Sequence, residues 1–96
     1  MDSLPLFLNG KHINCLVVGA GNVALRKLEV LVASGARCRV VAKSVIADVA
    51  NMLDTNNIPF RKGEFKESDI SDVNLVIAAT NNSEVNAQIR EACDRS

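Results

Sequence analysis

The run Cys15-Leu16-Val17-Val18-Gly19-Ala20-Gly21-Asn22-Val23-Ala24-Leu25-Arg26-Lys27 restricts the possible folds more than any other part of this chain. An unbroken apolar stretch gives way to two glycines and then to residues with helical spacing, which reads as strand, tight turn and helix. Gly19 permits a sharp exit from the strand, and Gly21 lets the backbone approach a pyrophosphate with no Cβ in the way. Ala24 takes the third small position, where helix and strand pack closely. Exposed N–H groups and the helix dipole favour an anion at such a helix N-terminus. A bare G-x-G-x-x-A is a weak pattern. Its place between a strand and a helix gives it weight.

The remaining residues continue the alternation of strand and helix. Residues 13–18 form an apolar strand without polar interruption, as expected when helices cover both faces of a sheet. The helix from residue 22 to about 34 carries Ala24, Leu28, Leu31 and Val32 on one stripe, with Arg26 and Glu29 opposite, and Gly35 ends it. Residues 37–42 give a second strand, completing a parallel crossover unit. Ser44 is placed to cap a helix over residues 45–54. A short strand over residues 58–61 belongs at a sheet edge because of Pro59. Residues 63–72 are polar and irregular, with one helical turn expected around residues 67–70. A last strand spans residues 74–79, and Val85, Ile89, Ala92 and Cys93 stripe the helix that follows.

These elements predict a single α/β domain, a Rossmann-like three-layer arrangement with a parallel sheet in the order 3-2-1-4. Ligands of such sheets bind in the crevice at the carboxyl ends of the strands, where the order reverses. The apolar Leu4-Pro5-Leu6-Phe7-Leu8 and the Asn9-Gly10 turn are expected to fold back beside the first strand. His12 is given no role.

Composition removes several function classes. Eleven basic and eleven acidic residues leave no net charge, so bulk attraction to nucleic acid or to an anionic membrane has no support. No apolar run approaches the roughly 18–20 residues needed to span a bilayer. Cys15, Cys38 and Cys93 are scattered and odd in number, and they read as small core residues of a reduced, cytoplasmic protein rather than disulfide partners or metal ligands. No set of side chains has metal-ligand spacing.

The crevice residues are therefore Gly19, Gly21, Asn22 and Val23 after the first strand, Lys43 and Ser44 after the second, and Ala79 and Thr80 after the fourth. The second strand of a dinucleotide fold ordinarily closes on an acid that holds the ribose hydroxyls, yet this one runs Val41-Ala42-Lys43-Ser44. Ser44 offers a hydroxyl contact or a helix cap, and Lys43 suits a 2′-phosphate or stands as a solvated lysine. The chemistry alone leaves NAD and NADP open. Thr80 is a candidate for the nicotinamide side or a substrate acid group, with Asn82 or Ser83 capping the helix.

At this point the sequence resembles a known family. The opening Leu4-Pro5-Leu6-Phe7, the run from Cys15 to Lys27, Gly35-Ala36, and Asn74-Leu75-Val76-Ile77-Ala78-Ala79-Thr80-Asn81-Asn82 match the N-terminal module of siroheme synthase, the precorrin-2 dehydrogenase/sirohydrochlorin ferrochelatase. The resemblance implies NAD-dependent oxidation of precorrin-2 to sirohydrochlorin, followed by insertion of Fe²⁺ to give siroheme. It also implies cofactor contacts at Asn22, Val23, Lys43 and Ser44, which tips the cofactor toward NAD, and a homodimer in the full-length protein. The family's acid/base aspartate lies on a further strand, and nothing up to Ser96 matches it. No catalytic residue is assigned, and the expectation is a chain that holds the cofactor half of the site and is inactive alone. A non-catalytic NAD(H)-sensing domain is the competing reading, because such regulators share the fold.

Overall fold

Four short strands lie side by side, and the first, second and fourth carry apolar residues on both faces, which helices on either side help to bury. A computed structural model of the chain describes residues 13–95. The elements are β1 (Asn14–Val18), α1 (Asn22–Ala33), β2 (Arg37–Ala42), α2 (Ala47–Thr55), β3 (Phe60–Lys62), a 3-10 turn at Glu67–Ile70, β4 (Leu75–Ala78) and α3 (Ser83–Arg95). All strand pairs are parallel, and the sheet order is β3-β2-β1-β4. This is the predicted α/β architecture, order 3-2-1-4. The expected fold-back of the N-terminal apolar segment, and His12, lie outside the described residues.

β1 shows why its sequence does not alternate. Cys15 and Val17 join a core with Ala24, Leu28 and Leu31 of α1 and Val49 and Leu53 of α2. Leu16 and Val18 point the other way, into a second core with Ile70 of the 3-10 turn and Ile89 and Ala92 of α3. Val85 and Cys93 pack against that second core, completing the stripe expected on α3. Burying an aliphatic side chain of this kind stabilises by about 1.5–3 kcal/mol. The sheet therefore has a helix-covered core on each face.

Three elements depart most from the ranges read in the sequence. The second helix begins at Ala47 with Ile46 at the cap position and no side-chain cap, so Ser44 does not cap it. The reason is tertiary: Ile46 N donates to Ala20 O at 3.1 Å, and Ile46 packs on the first core, so the chain stays extended over the glycine turn before coiling. β3 starts after Pro59, not at Ile58, and lies at the sheet edge as its proline requires. β4 is shorter than its apolar run and only half-buried, with Ala78 exposed, since only β1 flanks it among the described residues.

Candidate functional site

The parallel sheet brings all strand exits to one edge, and there they form a cavity of about 340 Å³. That volume falls in the range of small-molecule sites. Its floor is the glycine turn, Val18 to Gly21; its walls are Lys43 and Ser44 after β2, Gly63 to Phe65 after β3, and Ala79 to Asn82 after β4. Val85 and Gln88 of α3 complete it.

The turn is built by the neighbouring strands. Gly19 N donates to Val41 O and Ala79 N to Val18 O, each at 2.8 Å, so β1 is gripped from both sides as it ends. Gly19 has φ +115°, and a Cβ there would land on the Ala79 carbonyl. Gly21 is different. Its φ is ordinary for any residue, and a Cβ there would meet nothing within 4 Å. Gly21 itself lines the cavity, and the space beside it is open. Gly21 also stands at the cap position of α1, whose N-terminus has no side-chain cap. The first N–H groups of a helix lack intrahelical acceptors, so this end presents donors and the positive end of the dipole to a ligand. Uncapped donors beside an open glycine fit a pyrophosphate.

Of the residues proposed from the sequence, Gly19, Gly21, Lys43, Ser44, Ala79 and Thr80 converge on this cavity. Asn22 and Val23 open α1 next to Gly21; both are exposed, and neither lines the cavity. Released from capping, Ser44 leaves its hydroxyl exposed at the cavity wall.

Of the two capping candidates, Asn82 and Ser83, the structure selects Asn82. Asn82 Oδ1 accepts from Glu84 N at 2.9 Å and Val85 N at 3.1 Å, so it caps α3. Thr80 Oγ1 donates to Asn86 Oδ1 at 2.8 Å, and Asn86 Nδ2 donates to Thr80 O at 3.1 Å. This reciprocal pair clamps the β4 exit to α3. With its proton committed to Asn86 and one lone pair taken by Asn82 N at 3.2 Å, the Thr80 hydroxyl keeps one acceptor position for a ligand.

The segment after β3 was missed as site-forming and read only as polar and irregular. The signal was available in the predicted strand order, since a strand parallel to β2 must end beside it. Gly63 N donates to Ala42 O at 2.9 Å, pinning the β3 exit against the β2 exit. Glu64 then stands with its Oε2 3.6 Å from Lys43 Nζ, and both groups are exposed. Behind it, Arg61 Nη2 donates to the Glu64 carbonyl at 2.9 Å and pairs with the Asp69 carboxylate, which also accepts from Lys66 N at 2.7 Å. Arg39 ties the same turn down through Asp69 O and Asp72 Oδ1.

The cysteines stand apart from this chemistry. Cys15 is buried, Cys38 and Cys93 are half-buried, and none lines the cavity. Burial pushes the Cys15 thiol up to about 12, with Cys38 adding to the rise, and burial also raises Cys38. Neither is a poised thiolate. Among the described residues no cluster of three or more His, Cys, Asp or Glu side chains could hold a metal ion, and no helix is long and apolar enough to cross a membrane.

A doubly covered parallel sheet whose glycine turn opens an uncapped helix onto such a cavity defines a Rossmann-like NAD(P)-binding domain. The comparisons with known proteins agree. The family model described as "Putative NAD(P)-binding" matches residues 6–96. Among curated proteins the chain is similar to siroheme synthases: 40% identical over 95 residues to that of Methylococcus capsulatus and 38% identical over 95 residues to that of Baumannia cicadellinicola. Those matches take in 99% of this chain but 20% and 21% of the two relatives. Among solved structures it resembles SirC, precorrin-2 dehydrogenase, with a TM-score of 0.83 and 27% identity, over 96% of this chain and 46% of that one. The chain belongs to this family, the N-terminal NAD(P)-binding modules of siroheme synthase and SirC. It spans about a fifth of the length of the curated relatives it matches.

Proposed function

We propose that this domain binds NAD as hydride acceptor for the oxidation of precorrin-2 to sirohydrochlorin, within a protein that also inserts Fe²⁺ to form siroheme. The observation that carries the reading is the uncapped N-terminus of α1, with open space beside Gly21, at the edge of the cavity between the β1 and β4 exits. The names of the relatives, siroheme synthase and precorrin-2 dehydrogenase, support the substrate. In this reading the α1 N–H groups hold the pyrophosphate, Asn22 and Val23 flank it, Lys43 and Ser44 meet the adenosine ribose, and Ala79 and Thr80 border the nicotinamide side. When bound, the cofactor supplies a two-electron acceptor. The residues of this chain orient it and keep it against the sheet edge. A tetrapyrrole partner, a homodimer and a cytoplasmic location belong to the same reading.

Thermal unfolding in the presence of NAD tests it. A ligand that binds only the folded state raises the melting temperature with concentration, by about 2.7 kcal/mol of added stability at a hundredfold excess over Kd. Gly21→Val is the control, because Gly21 lines the cavity and a Cβ there meets no protein atom within 4 Å. The variant is expected to keep its fold to within about 1 kcal/mol and to lose most of the NAD-induced shift. The absence of any shift in the unmodified protein up to millimolar NAD overturns the reading.

A further inference from the structure

The β2 strand lacks the acid that ordinarily receives the ribose hydroxyls, ending instead on Lys43 and Ser44. The structure places a carboxylate there from elsewhere. Glu64 lines the same cavity as Lys43, and its Oε2 lies 3.6 Å from Lys43 Nζ. Its backbone is held on both sides. Gly63 N is bonded to Ala42 O, and Arg61 Nη2 is bonded to the Glu64 carbonyl while Asp69 anchors Arg61. In-register pairing of Ala42 with Lys62 sets this geometry, because it makes the two strands end level with one another.

Alone, Lys43 would draw a 2′-phosphate to the end of β2, since an ammonium beside that position favours a dianion. Glu64 changes the local field. Its carboxylate neutralises Lys43, offers acceptor oxygens to a ribose hydroxyl and repels a phosphate at the same point. We propose that Glu64 takes the place of the missing β2 acid and sets the preference of this domain for NAD over the 2′-phosphorylated dinucleotide, with Lys43 as the group it masks. This rests on reading the cavity as the dinucleotide site.

The pair is exposed, and exposed ion pairs contribute little to stability, so replacing Glu64 leaves the fold intact. The test is calorimetric titration of the unmodified chain and of Glu64→Gln with NAD and NADP at low ionic strength. The substitution is expected to raise NADP affinity relative to NAD by about fivefold, the scale of one water-exposed charge interaction at this range. Adding Lys43→Met to Glu64→Gln should abolish the gain, and raised salt should shrink it. An NADP-to-NAD ratio that moves less than about twofold in Glu64→Gln, while NAD still binds, overturns the role of Glu64. If the unmodified chain binds neither dinucleotide, the assignment of the site falls and this inference falls with it.

Discussion

Two glycines two residues apart do different work. At Gly19 the backbone sits in the left-handed region with the Ala79 carbonyl against it, so a side chain meets both strain and a clash. Gly19→Ala is expected to destabilise the domain by about 1–3 kcal/mol, read as a lower urea midpoint. Gly21 has neither constraint, and it lines the cavity. The sequence pattern marks both positions and assigns them these roles, because a strand-to-helix glycine turn is a local device. Glu64 is the opposite case. Nothing near it in the chain marks it, and its importance arises only from the 3.6 Å approach to a lysine on another strand.

At the scale of elements, the capping residues decide where helices begin. Asn82 closes two donors of α3, so Asn82→Ala is expected to cost about 1 kcal/mol, with a shifted urea midpoint and an unchanged m-value. The Thr80–Asn86 clamp should keep the β4 exit in place in that variant. Ser44 shows the limit of local capping rules. It has a good capping side chain and a helix close behind it, yet Ile46 is drawn onto the core and bonded to Ala20 O, so the helix starts later. The 3-10 turn at Glu67–Ile70 was legible as a short helical turn in a polar stretch, and β2 was legible to the residue. The anchoring of the 3-10 turn by Arg39 of β2 and Arg61 of β3 was not, because those arginines lie far from it in the chain.

At the scale of the whole molecule, the two-sided sheet makes stability depend on keeping the β1 thiol neutral. Cys15 titrates near 12 in the folded protein against about 9 in a solvated chain. Between those values the unfolded state holds fewer protons, so stability falls as pH rises through that window, by up to about 1.4 kcal/mol per pH unit, and below 9 the effect vanishes. Cys38, also raised, adds in the same direction. Urea unfolding at pH 8 and pH 10 checks this. The unmodified protein should lose more stability between the two than Cys15→Ala does.

The sequence by itself determined the class of fold, the strand order and the phosphate-type turn, because apolar strand runs, helical stripes and a glycine turn are each written in adjacent residues. It also brought six of the eight proposed cofactor positions to the cavity, since strand exits of a parallel sheet share one edge. Tertiary structure alone decided the rest. It released Ser44 from its cap, chose Asn82 to cap α3, clamped Thr80 to Asn86, left Asn22 and Val23 outside the cavity lining, and set Glu64 beside Lys43. Each of these depends on where one strand ends relative to another, and side chains distant in the chain interact only after the sheet has aligned those ends.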